Sequence, residues 1–586
     1  MVKSFLILAV FDWPAFRKRI EVTTLELIDS RRLTGLNLQC PGPGAVTEVR
    51  FDEDEDAEVS LKAWSDALDV LLVELGWPSV ERWVRRYDGG ASLVIDAPLD
   101  ALYAATEINE WAVACVQGKA PSPIGAAQSI RASVQDEANP ALIALQKTAK
   151  EKGVPFVWDD DEVSLGLGRH SKTWPAQSLP APDSVDWQAR KRISFAYITG
   201  TNGKTTTTRM TMRILATAGI SHAGTSTDGV IVNGVEVEQG DWTGPGAARL
   251  ALRHPEVDLA VLETARGGLL RRGLVLEDCD AALITNVAND HLGEYGVLNV
   301  DDMAQVKGLV CEAVRANGAR VLNADDPYLW KVGQRPGPPV VWFSRNPGDR
   351  LRPHLESGGT AWVQEDGTLF LCQEGTKIPV VAVNDIPACH KGRAAHNVEN
   401  ALAAAALSHA LGVHIGPIGN ALAQFAGDAT DNPGRCNLLD LHGVQVLLDF
   451  GHNPHGLRAI LRMARGLVDD TADGRLCITI GQAGDRSDED LRALAEEVHA
   501  KDPQRVMLRE TPGYERGRAV GEVTGILSDY LMEQGHDPTD ISVHGNEVDA
   551  IQAALDWARP GDLVVHLVHI DRDAVRQVLT DWMLCG

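Results

Sequence analysis

The feature that most constrains the fold of this chain is an apolar segment that runs into a glycine-rich turn and then into a helix-compatible segment, over residues 193–209. Gly200 and Gly203 lack side chains, so successive backbone N–H groups can converge on an anion at the start of a helix. Lys204 adds a positive charge, and Thr205 adds a hydroxyl group that suits Mg²⁺. The segment therefore predicts a site for a nucleoside triphosphate between a strand and a helix.

The spacing of the two glycines departs from that of the common phosphate-binding loop. That loop has four residues between its glycines, whereas here only Thr201 and Asn202 separate Gly200 from Gly203. A glycine turn without a ligand is the alternative interpretation. The apolar strand in front and the Lys-Thr pair that opens the following helix favour a phosphate site.

Composition limits the class of partner. At 586 residues the chain has room for about three or four domains. Its apolar content of 44% and charged content of 23% are those of an ordinary globular protein. The formal net charge of −26 argues against a nucleic-acid partner, because phosphate backbones require clustered Lys and Arg.

The cysteines and the N-terminus indicate a cytoplasmic protein. Nine cysteines are scattered without a C-x-x-C pair, which favours neither a zinc site nor a disulfide framework. The apolar run at residues 4–11 lacks a small-residue cleavage site, so we expect a β-strand there. No window reaches the roughly 18 apolar residues of a membrane helix, so we expect no membrane partner.

The pattern of strands and helices predicts an α/β protein of three domains. Residues 1–168 alternate as in a compact α+β domain, and residues 169–192, rich in Ser, Pro, Ala and Asp, form a linker. Residues 193–431 alternate as in a doubly wound parallel sheet, the P-loop ATPase domain. Residues 432–586 repeat that alternation and predict a second, Rossmann-like α/β domain.

Polar residues stand just beyond predicted strands of the central domain. Glu263 follows the strand 257–262, and Asn286 and His291 follow the strand 281–284. Ligands of such sheets bind beyond the carboxyl ends of the strands. A carboxylate and an imidazole can hold a divalent cation there, although a surface glutamate and a loop histidine are the alternatives when each residue is taken alone.

Taken in chain order, these motifs resemble the Mur ligase family, ATP-dependent enzymes that join an amine to a carboxylate. The resemblance covers about residues 193–586 and implies ATP and Mg²⁺ as cofactors. The matching motifs are the phosphate turn 199–205, Glu263, the pair 285–286 with 290–291, 323–327, 396–400, 432–435 and 449–454.

Within that family the chain looks most like the cyanophycin synthetase branch. The matches are 227–229, 240–245, 263–268 and 433–437, with looser similarity at 32–37 and 98–103. Cyanophycin synthetases carry an ATP-grasp module between their N-terminal and ligase regions, whereas here only the linker 169–192 occupies that place. The resemblance therefore implies that the chain retains only the second ligation. Substrate docking is a candidate role for residues 1–168.

The resemblance assigns roles at the phosphate end of the site. Lys204 and the amides of the turn hold the phosphates, and Thr205 and Glu263 bind one Mg²⁺ while His291 helps to hold a second. Lys307 stands where the family has a carbamylated lysine, with a plain salt-bridged lysine as the alternative. The full set of turn residues implied in nucleotide binding is Gly200, Thr201, Asn202, Gly203, Lys204, Thr205 and Thr206, with Asn286 beside them.

Further roles are implied at the other end of the nucleotide. Arg435 reaches the transferring phosphoryl group and Asp449 contacts the ribose, whereas Phe450 and Gly451 replace the family's usual Tyr-Ala. Asn397 and Asn400 border the adenine, with helix capping as the alternative for these amides. For the incoming amine, Asp485 is the candidate for the ammonium group and Arg486 for the α-carboxylate, with plain surface charge as the alternative.

The resulting prediction is an ATP-dependent carbon–nitrogen ligase that works through an acyl phosphate. Its partners are a small-molecule or peptide carboxylate, of which an aspartyl side chain is one candidate, and an amino-acid amine. The alternative is a nucleotide-binding protein without catalysis that regulates or accompanies a full synthetase. Retention of Lys204, Glu263, His291, Arg435 and Asp449 favours the enzyme. A homodimer is left open.

Overall fold

A computed structural model of the chain describes residues 25–52, 57–77, 79–290, 292–471 and 473–585. They form two compact units, each built from several chain segments. The first unit comprises 1–199, 221–282 and 292–318, and the second comprises 200–220, 283–291 and 319–586. Two predictions, the N-terminal strand and the metal-binding role of His291, lie outside the described residues.

The first unit opens with an antiparallel sheet covered by helices. The sheet has the order β1-β2-β4-β3. Its strands are β1 Glu26–Leu33, β2 Gly44–Arg50, β3 Arg82–Tyr87 and β4 Gly90–Asp96. The covering helices are Ala57–Leu75, Leu102–Val116 and Pro123–Glu137. Alternate strand residues such as Leu93 and Ile95 join Trp64 in one buried core, which confirms the predicted α+β arrangement.

A small sheet follows, and it extends into the predicted linker. Helix Pro140–Lys152 is capped by Asn139, whose side chain accepts from the N–H of Leu142 (3.1 Å). The sheet consists of β5 Phe156–Trp158, β6 Glu162–Leu165 and β7 Lys172–Pro175. Strand β7 lies inside residues 169–192, and Trp187 from the same segment packs on a buried apolar cluster. The segment is therefore ordered, because its tryptophans bury apolar surface between the Ser and Pro residues.

The parallel sheet of the first unit confirms the doubly wound pattern. In the order β11-β10-β9-β12-β8-β13, strands β9, β12 and β8 run parallel and β10 with β11 forms an antiparallel edge. The strands are β8 Ser194–Thr199, β9 His222–Ser226, β10 Gly229–Val232, β11 Val235–Gln239, β12 Leu259–Glu263 and β13 Cys279–Ile284. Its helices are Pro245–Arg253, Arg266–Arg271 and Val300–Glu312.

The N-terminal sheet packs on this parallel part within the same unit. The guanidinium Nε of Arg31 donates to the carbonyl oxygen of Leu270 (3.1 Å). The Leu274 N–H donates to the carbonyl oxygen of Leu36 (2.8 Å). A Cβ at Gly35 would lie 1.9 Å from the Leu274 oxygen, so the two backbones approach at a point that admits only glycine.

The second unit begins with the helix Lys204–Thr217 that follows the glycine turn. Its next strands are β14 Val314–Asn323, which enters this unit at residue 319, β15 Val340–Ser344, β16 Thr360–Glu365, β17 Thr368–Gln373 and β18 Thr376–Ala382. Strands β14 to β16 are parallel and β16 to β18 antiparallel. The helices are Pro327–Gly333, Arg352–Glu356, Ala395–Ala410 and Ile415–Gln424.

The second unit ends in a six-stranded sheet with helices on both faces. The order is β19-β20-β24-β21-β22-β23, and only the edge strand β19 is antiparallel to its neighbour among these described strands. The strands are β19 Asn437–Leu441, β20 Val444–Asp449, β21 Leu476–Ile480, β22 Arg505–Arg509, β23 Ile541–His544 and β24 Leu563–Leu567. The helices are Pro454–Asp469, Asp488–His499, Glu522–Glu533, Glu547–Trp557 and Arg572–Cys585. Two buried clusters line the two faces, as the predicted Rossmann-like alternation requires.

Two properties of the described residues bear on the predictions from composition. The structure describes the side chains of eight cysteines, and all eight are buried. Within the described ranges, no helix combines the length and the apolar character needed to cross a bilayer.

Candidate active site

The two glycines of the phosphate turn occupy positions that no other residue fits. Gly200 has φ 152° and Gly203 has φ 83°. A Cβ at Gly200 would lie 1.8 Å from Oγ1 of Thr285, and one at Gly203 would lie 2.2 Å from Oδ1 of Asn400. The turn therefore needs glycine for both backbone conformation and space, and the cradle it forms suits a phosphate group.

A second chain segment in the same unit shapes the turn. The Thr201 N–H donates to the carbonyl oxygen of Asn286 (2.9 Å), and the Asn202 N–H donates to its side-chain oxygen (3.0 Å). The carbonyl oxygen of Asn202 in turn accepts from Thr285 Oγ1 (2.6 Å) and Asn286 Nδ2 (3.1 Å). Asn286, which the sequence predicted to touch the nucleotide, thus holds the turn in shape.

The cation and the hydroxyls of the turn lie at the start of helix Lys204–Thr217. The Nζ atom of Lys204 donates to the carbonyl oxygens of Gly200 and Thr201, each at 3.1 Å. The first N–H groups of any helix have no intrahelical acceptor, so here they are available to an anion beside the ammonium group. Thr205 and Thr206 are buried next to this point, and the residues present fit a triphosphate.

The segment bearing Arg435 is anchored to the first turn of that helix. The side chain of Asn432 donates to Oγ1 of Thr206 (3.1 Å), and the Arg435 N–H donates to the carbonyl oxygen of Asn432 (3.2 Å). The Arg435 guanidinium lies 4.1 Å from the centroid of the Phe450 ring. The segment that carries this predicted phosphate-contacting arginine thus lies against helix Lys204–Thr217, although the two are far apart in sequence.

Asp449, the predicted ribose contact, is buried, and backbone N–H groups hold its carboxylate in place. Its carboxylate accepts from the N–H groups of Cys436 (2.7 Å) and Gly451 (2.8 Å). Burial raises the pKa of the Asp449 carboxyl, while the positive charge of Arg435 opposes this rise. Asp449 therefore joins the end of β20 to the segment that starts the C-terminal sheet.

The two asparagines assigned to the adenine do not cap their helix. Helix Ala395–Ala410 begins two residues before Asn397, whose Nδ2 donates to the carbonyl oxygen of Ala388 (2.8 Å). The Nδ2 atom of Asn400 donates to Oδ1 of Asn397 (3.2 Å). The capping alternative is wrong, and the contact of Asn400 with the helix behind the phosphate turn, through Thr207 Oγ1 (3.4 Å), places this pair beside the nucleotide turn.

The candidates for the amine pocket are engaged in ion pairs. Arg486 Nη1 lies 3.0 Å from Oδ1 of Asp290, and His452 Nε2 lies 3.6 Å from Oδ2 of the same carboxylate. Asp485 pairs with Arg516. An incoming amino acid would have to share or replace these partners, so the amine-binding roles of Asp485 and Arg486 stay predictions.

Two predicted residues belong to the first unit. Glu263 ends strand β12 with 2% of its surface exposed, and Lys307 lies on helix Val300–Glu312 with 4% exposed. Charged side chains that deep in a protein are usually paired or bound to metal. Among the described residues, which do not include His291, no three His, Cys, Asp or Glu side chains converge as a set that could hold a metal ion.

Sequence reasoning missed a polar link between the phosphate turn and the C-terminal sheet. The side-chain amides of Asn202 and Asn453 exchange hydrogen bonds at 3.1 and 3.0 Å. Nδ1 of His455 lies 3.0 Å from the Asn202 amide nitrogen. Asn453 also caps helix Pro454–Asp469 by accepting from the Gly456 N–H (2.9 Å). The motif at 449–454 pointed to this segment, but not to its partner.

Two family models match the chain, one for the Mur ligase middle domain over residues 198–408 and one for the Mur ligase glutamate ligase domain over residues 434–567. The cyanophycin synthetase of Crocosphaera subtropica is 36% identical over 403 residues, which are 69% of this chain and 45% of that protein. The enzyme of the same name from Synechocystis sp. is 35% identical over 412 residues, 69% of this chain and 46% of that protein. The chain thus spans about half the length of these relatives.

A peptidoglycan enzyme and a solved structure are also similar. The UDP-N-acetylmuramoyl-L-alanyl-D-glutamate–2,6-diaminopimelate ligase of Syntrophomonas wolfei is 29% identical over 387 residues, 64% of this chain and 73% of that enzyme. FolC of E. coli in complex with ADP is 19% identical, with 67% of this chain and 91% of that chain covered and a TM-score of 0.47. The two matching domain models together cover more than half of the chain, which therefore belongs to the Mur ligase family.

Proposed function

We propose that this protein is an ATP-dependent ligase that joins a carboxylate to an amino-acid amine through an acyl phosphate. The observation that carries the proposal is the anchoring of the Arg435 segment on the first turn of helix Lys204–Thr217. There the Nδ2 atom of Asn432 donates to Oγ1 of Thr206 (3.1 Å). A guanidinium on a segment anchored to this helix can supply what phosphoryl transfer needs, which is charge neutralisation at fixed positions.

The proposed reaction has two steps. A carboxylate oxygen attacks the γ-phosphorus of ATP, so that an O–P bond forms, the bond to the β-phosphate oxygen breaks and ADP leaves. The amine nitrogen then attacks the acyl carbon, a C–N bond forms, the C–O bond to phosphate breaks, and phosphate and a proton are released. Both steps depend mainly on positioning and on stabilising negative charge.

The residues of the second unit divide this work. Lys204 and the helix N–H groups hold the β- and γ-phosphates, and Arg435 neutralises the group in transfer. Asp449 keeps the Arg435 segment in place through the Cys436 N–H. Thr205 is the proposed Mg²⁺ ligand of this unit, and a bound Mg²⁺ would screen the charge of the phosphates.

For the substrates, we propose a carboxylate of the aspartyl type and an amino acid as the amine. Support comes from the relatives at 35–36% identity, which are named cyanophycin synthetases. The resemblance of residues 263–268 and 433–437 to that branch supports the same choice.

Mass spectrometry of the products tests the proposal. The protein is incubated with Mg²⁺, ATP, a panel of aspartyl peptides and small dicarboxylic acids, and all common amino acids. We expect a product whose mass equals acid plus amine minus water, formed together with ADP and phosphate. ADP binding without any such product, across all combinations, would instead favour the non-catalytic alternative.

The Lys204→Ala variant tests the role of the phosphate turn in catalysis. Removal of the ammonium that lies over the turn should lower turnover by about 10²-fold or more, because a charge on the transferring phosphates is left without its partner. Lys62→Ala is the control, since Lys62 is an exposed lysine in an i,i+4 pair with Asp66. Near-normal turnover of Lys204→Ala would contradict the role of the turn.

A further inference from the structure

Four arginines of the first unit lie close enough to interact electrostatically. Arg249 and Arg253 lie four residues apart on helix Pro245–Arg253 and so share one face of that helix. Arg272 follows the end of helix Arg266–Arg271, and its Nη1 donates to the carbonyl oxygen of Arg32 in strand β1 (3.0 Å). The cluster, here called the arginine cluster (Arg32, Arg249, Arg253 and Arg272), thus combines three separate parts of the chain.

Two members of the arginine cluster have carboxylate partners. Arg32 binds both oxygens of Asp160 (2.8 and 2.9 Å) and stacks 3.6 Å from the ring centroid of Tyr103. Arg253 Nη1 lies 2.7 Å from Asp159 and 3.1 Å from Glu162. These ion pairs hold the side chains of Arg32 and Arg253 in a defined geometry.

The other two members have no carboxylate partner. Among the described residues, neither Arg249 nor Arg272 forms an ion pair, and the buried Nε atom of Arg249 has no hydrogen-bond acceptor. Burial lowers the pKa of Arg249, and Arg253 and Arg272 lower it further, although Asp159 and Asp160 act in the opposite direction. Burial also lowers the pKa of Arg272, and Arg32 and Arg31 lower it further, whereas Tyr103 and Asp160 act in the opposite direction.

Partly buried cations that no carboxylate contacts directly are costly, and an arriving anion removes part of that cost. Guanidinium groups match carboxylate and phosphate oxygens through paired N–H donors. We propose that Arg249 and Arg272 bind an anionic oxygen group, a carboxylate or a phosphate, on the acceptor substrate of the ligation. The assignment to the acceptor rests on the proposed function, whereas anion binding itself does not.

The position of the site supports an acceptor rather than a nucleotide. Part of its wall, Arg32, Tyr103 and Asp160, precedes the stretch from residue 198 that matches the family's middle domain.

A thermal-shift titration tests anion binding without turnover. The protein is saturated with Mg²⁺ and ADP, so that the phosphate turn is filled, and is then titrated with tricarballylate or with inorganic phosphate. We expect one or both probes to raise the unfolding midpoint of the wild type. In Arg249→Gln and Arg272→Gln, the same shift should need about tenfold more probe, which is the effect of one lost charge-assisted contact.

Control variants separate this effect from charge and from folding. Arg50→Gln removes an equally charged but exposed arginine that pairs with Glu26 (3.1 Å), and its titration should match the wild type. Arg249→Lys keeps the charge but loses the paired donors, so its titration should lie between those of the wild type and Arg249→Gln. A response to tricarballylate alone assigns a carboxylate and a response to phosphate alone assigns a phosphate. Equal titrations for the wild type and both Gln variants, or no response to either probe, would overturn the proposal.

Steady-state kinetics connects the site to the acceptor. In Arg249→Gln and Arg272→Gln, KM for the acceptor should rise about tenfold while KM for ATP stays unchanged. An active enzyme with unchanged acceptor KM in both variants would refute only the anchoring of the acceptor. A protein that ligates nothing but still loses its probe response in the variants would refute only the proposed function.

Discussion

At the scale of single residues, burial changes the pKa of side chains in a way that the sequence alone does not show. Glu399 lies inside the motif 396–400, and its Oε1 atom lies 3.6 Å from Nε of Arg345. Burial raises the pKa of Glu399 to about 7, and Asp325 and Asp326 contribute to the rise while Arg345 and Arg462 oppose it. Glu399 is therefore the residue of this motif that titrates near neutral pH.

The titration of Glu399 predicts a pH-dependent contribution to stability. Because its pKa is raised in the folded state, the folded protein holds the proton more tightly than the unfolded chain between about pH 4.5 and 7. The stabilising contribution is thus full below the unfolded pKa and falls by up to about 3 kcal/mol as the pH rises through 7.

Denaturant unfolding of the wild type and Glu399→Gln at pH 5 and pH 8 measures this contribution. The wild type should lose stability relative to the variant on going from pH 5 to pH 8, since the neutral amide cannot ionise. A difference between the two proteins that stays constant with pH would contradict the prediction.

Phe450 makes a second prediction at this scale. The Arg435 guanidinium lies 4.1 Å from the centroid of the Phe450 ring. The rings of His452 and His569 make edge-to-face contacts with Phe450, with centroid distances of 5.3 and 5.2 Å. Burial lowers the pKa of His569 well below its ordinary value, so this ring is neutral and adds no charge beside Arg435. Phe450 is in this way a positioning residue for the guanidinium.

Replacing Phe450 by leucine should slow phosphoryl transfer more than it weakens ATP binding. Loss of the cation–π contact is expected to reduce the single-turnover rate by about fivefold, with ATP affinity changed by less than about twofold. Phe450→Tyr keeps an aromatic face and should retain the rate. Equal losses in the leucine and tyrosine variants would show that the ring face is not what positions Arg435.

At the scale of elements, the N-termini of two helices have different roles, one offering N–H groups to a ligand and the other linking to the phosphate turn. Helix Lys204–Thr217 begins at a glycine turn and leaves its first N–H groups for a ligand. Helix Pro454–Asp469 begins at Asn453, whose side chain caps the helix and also binds Asn202 of the turn. One asparagine therefore joins the two helix starts.

Asn453→Ala should lower both stability and nucleotide binding. Loss of the cap is expected to cost about 1 kcal/mol of unfolding free energy, and loss of the Asn202 contact should raise KM for ATP. Asn546→Ala is the matched control, because Asn546 caps helix Glu547–Trp557 through the Asp549 N–H (2.8 Å). It should cost similar stability with no change in KM. The same KM change in both variants would assign the effect to stability alone.

At the scale of the whole molecule, the second unit collects its nucleotide residues from distant parts of the chain. Residues 200–206 form the turn, 285–286 shape it, and 432–435 rest on its helix. We expect amide hydrogen exchange in these three linked segments to slow together when a phosphate group fills the turn.

Amide hydrogen exchange tests this joint response. Mg²⁺ with ADP should slow exchange in 200–206, 285–288 and 432–436 together, and Lys204→Ala should lose all three effects at the same nucleotide concentration. Protection confined to 200–206 would mean that the other two segments do not take part in the nucleotide site.

Much of the architecture follows from patterns that are local in the chain. The strand, the two glycines and the Lys-Thr pair at 198–205 predict a phosphate turn because φ > 0 and a helix start are local requirements. The alternation of strands and helices beyond residue 193 likewise predicts a parallel sheet. The packing of segment 169–192 does not follow from such patterns, because its polar composition conceals the partial burial of Trp187.

The sequence by itself determined the phosphate turn, the strand–helix alternation and the family motifs, since each depends on neighbours within a few residues. Only the tertiary structure decided the partners: Asn202 meets Asn453 across 251 residues, and Arg32 meets Asp160 across 128. It also left the buried Nε atom of Arg249 without a hydrogen-bond acceptor among the described residues. Such pairings depend on how whole elements pack, because a side chain several helices away can satisfy a polar group as well as a neighbour can.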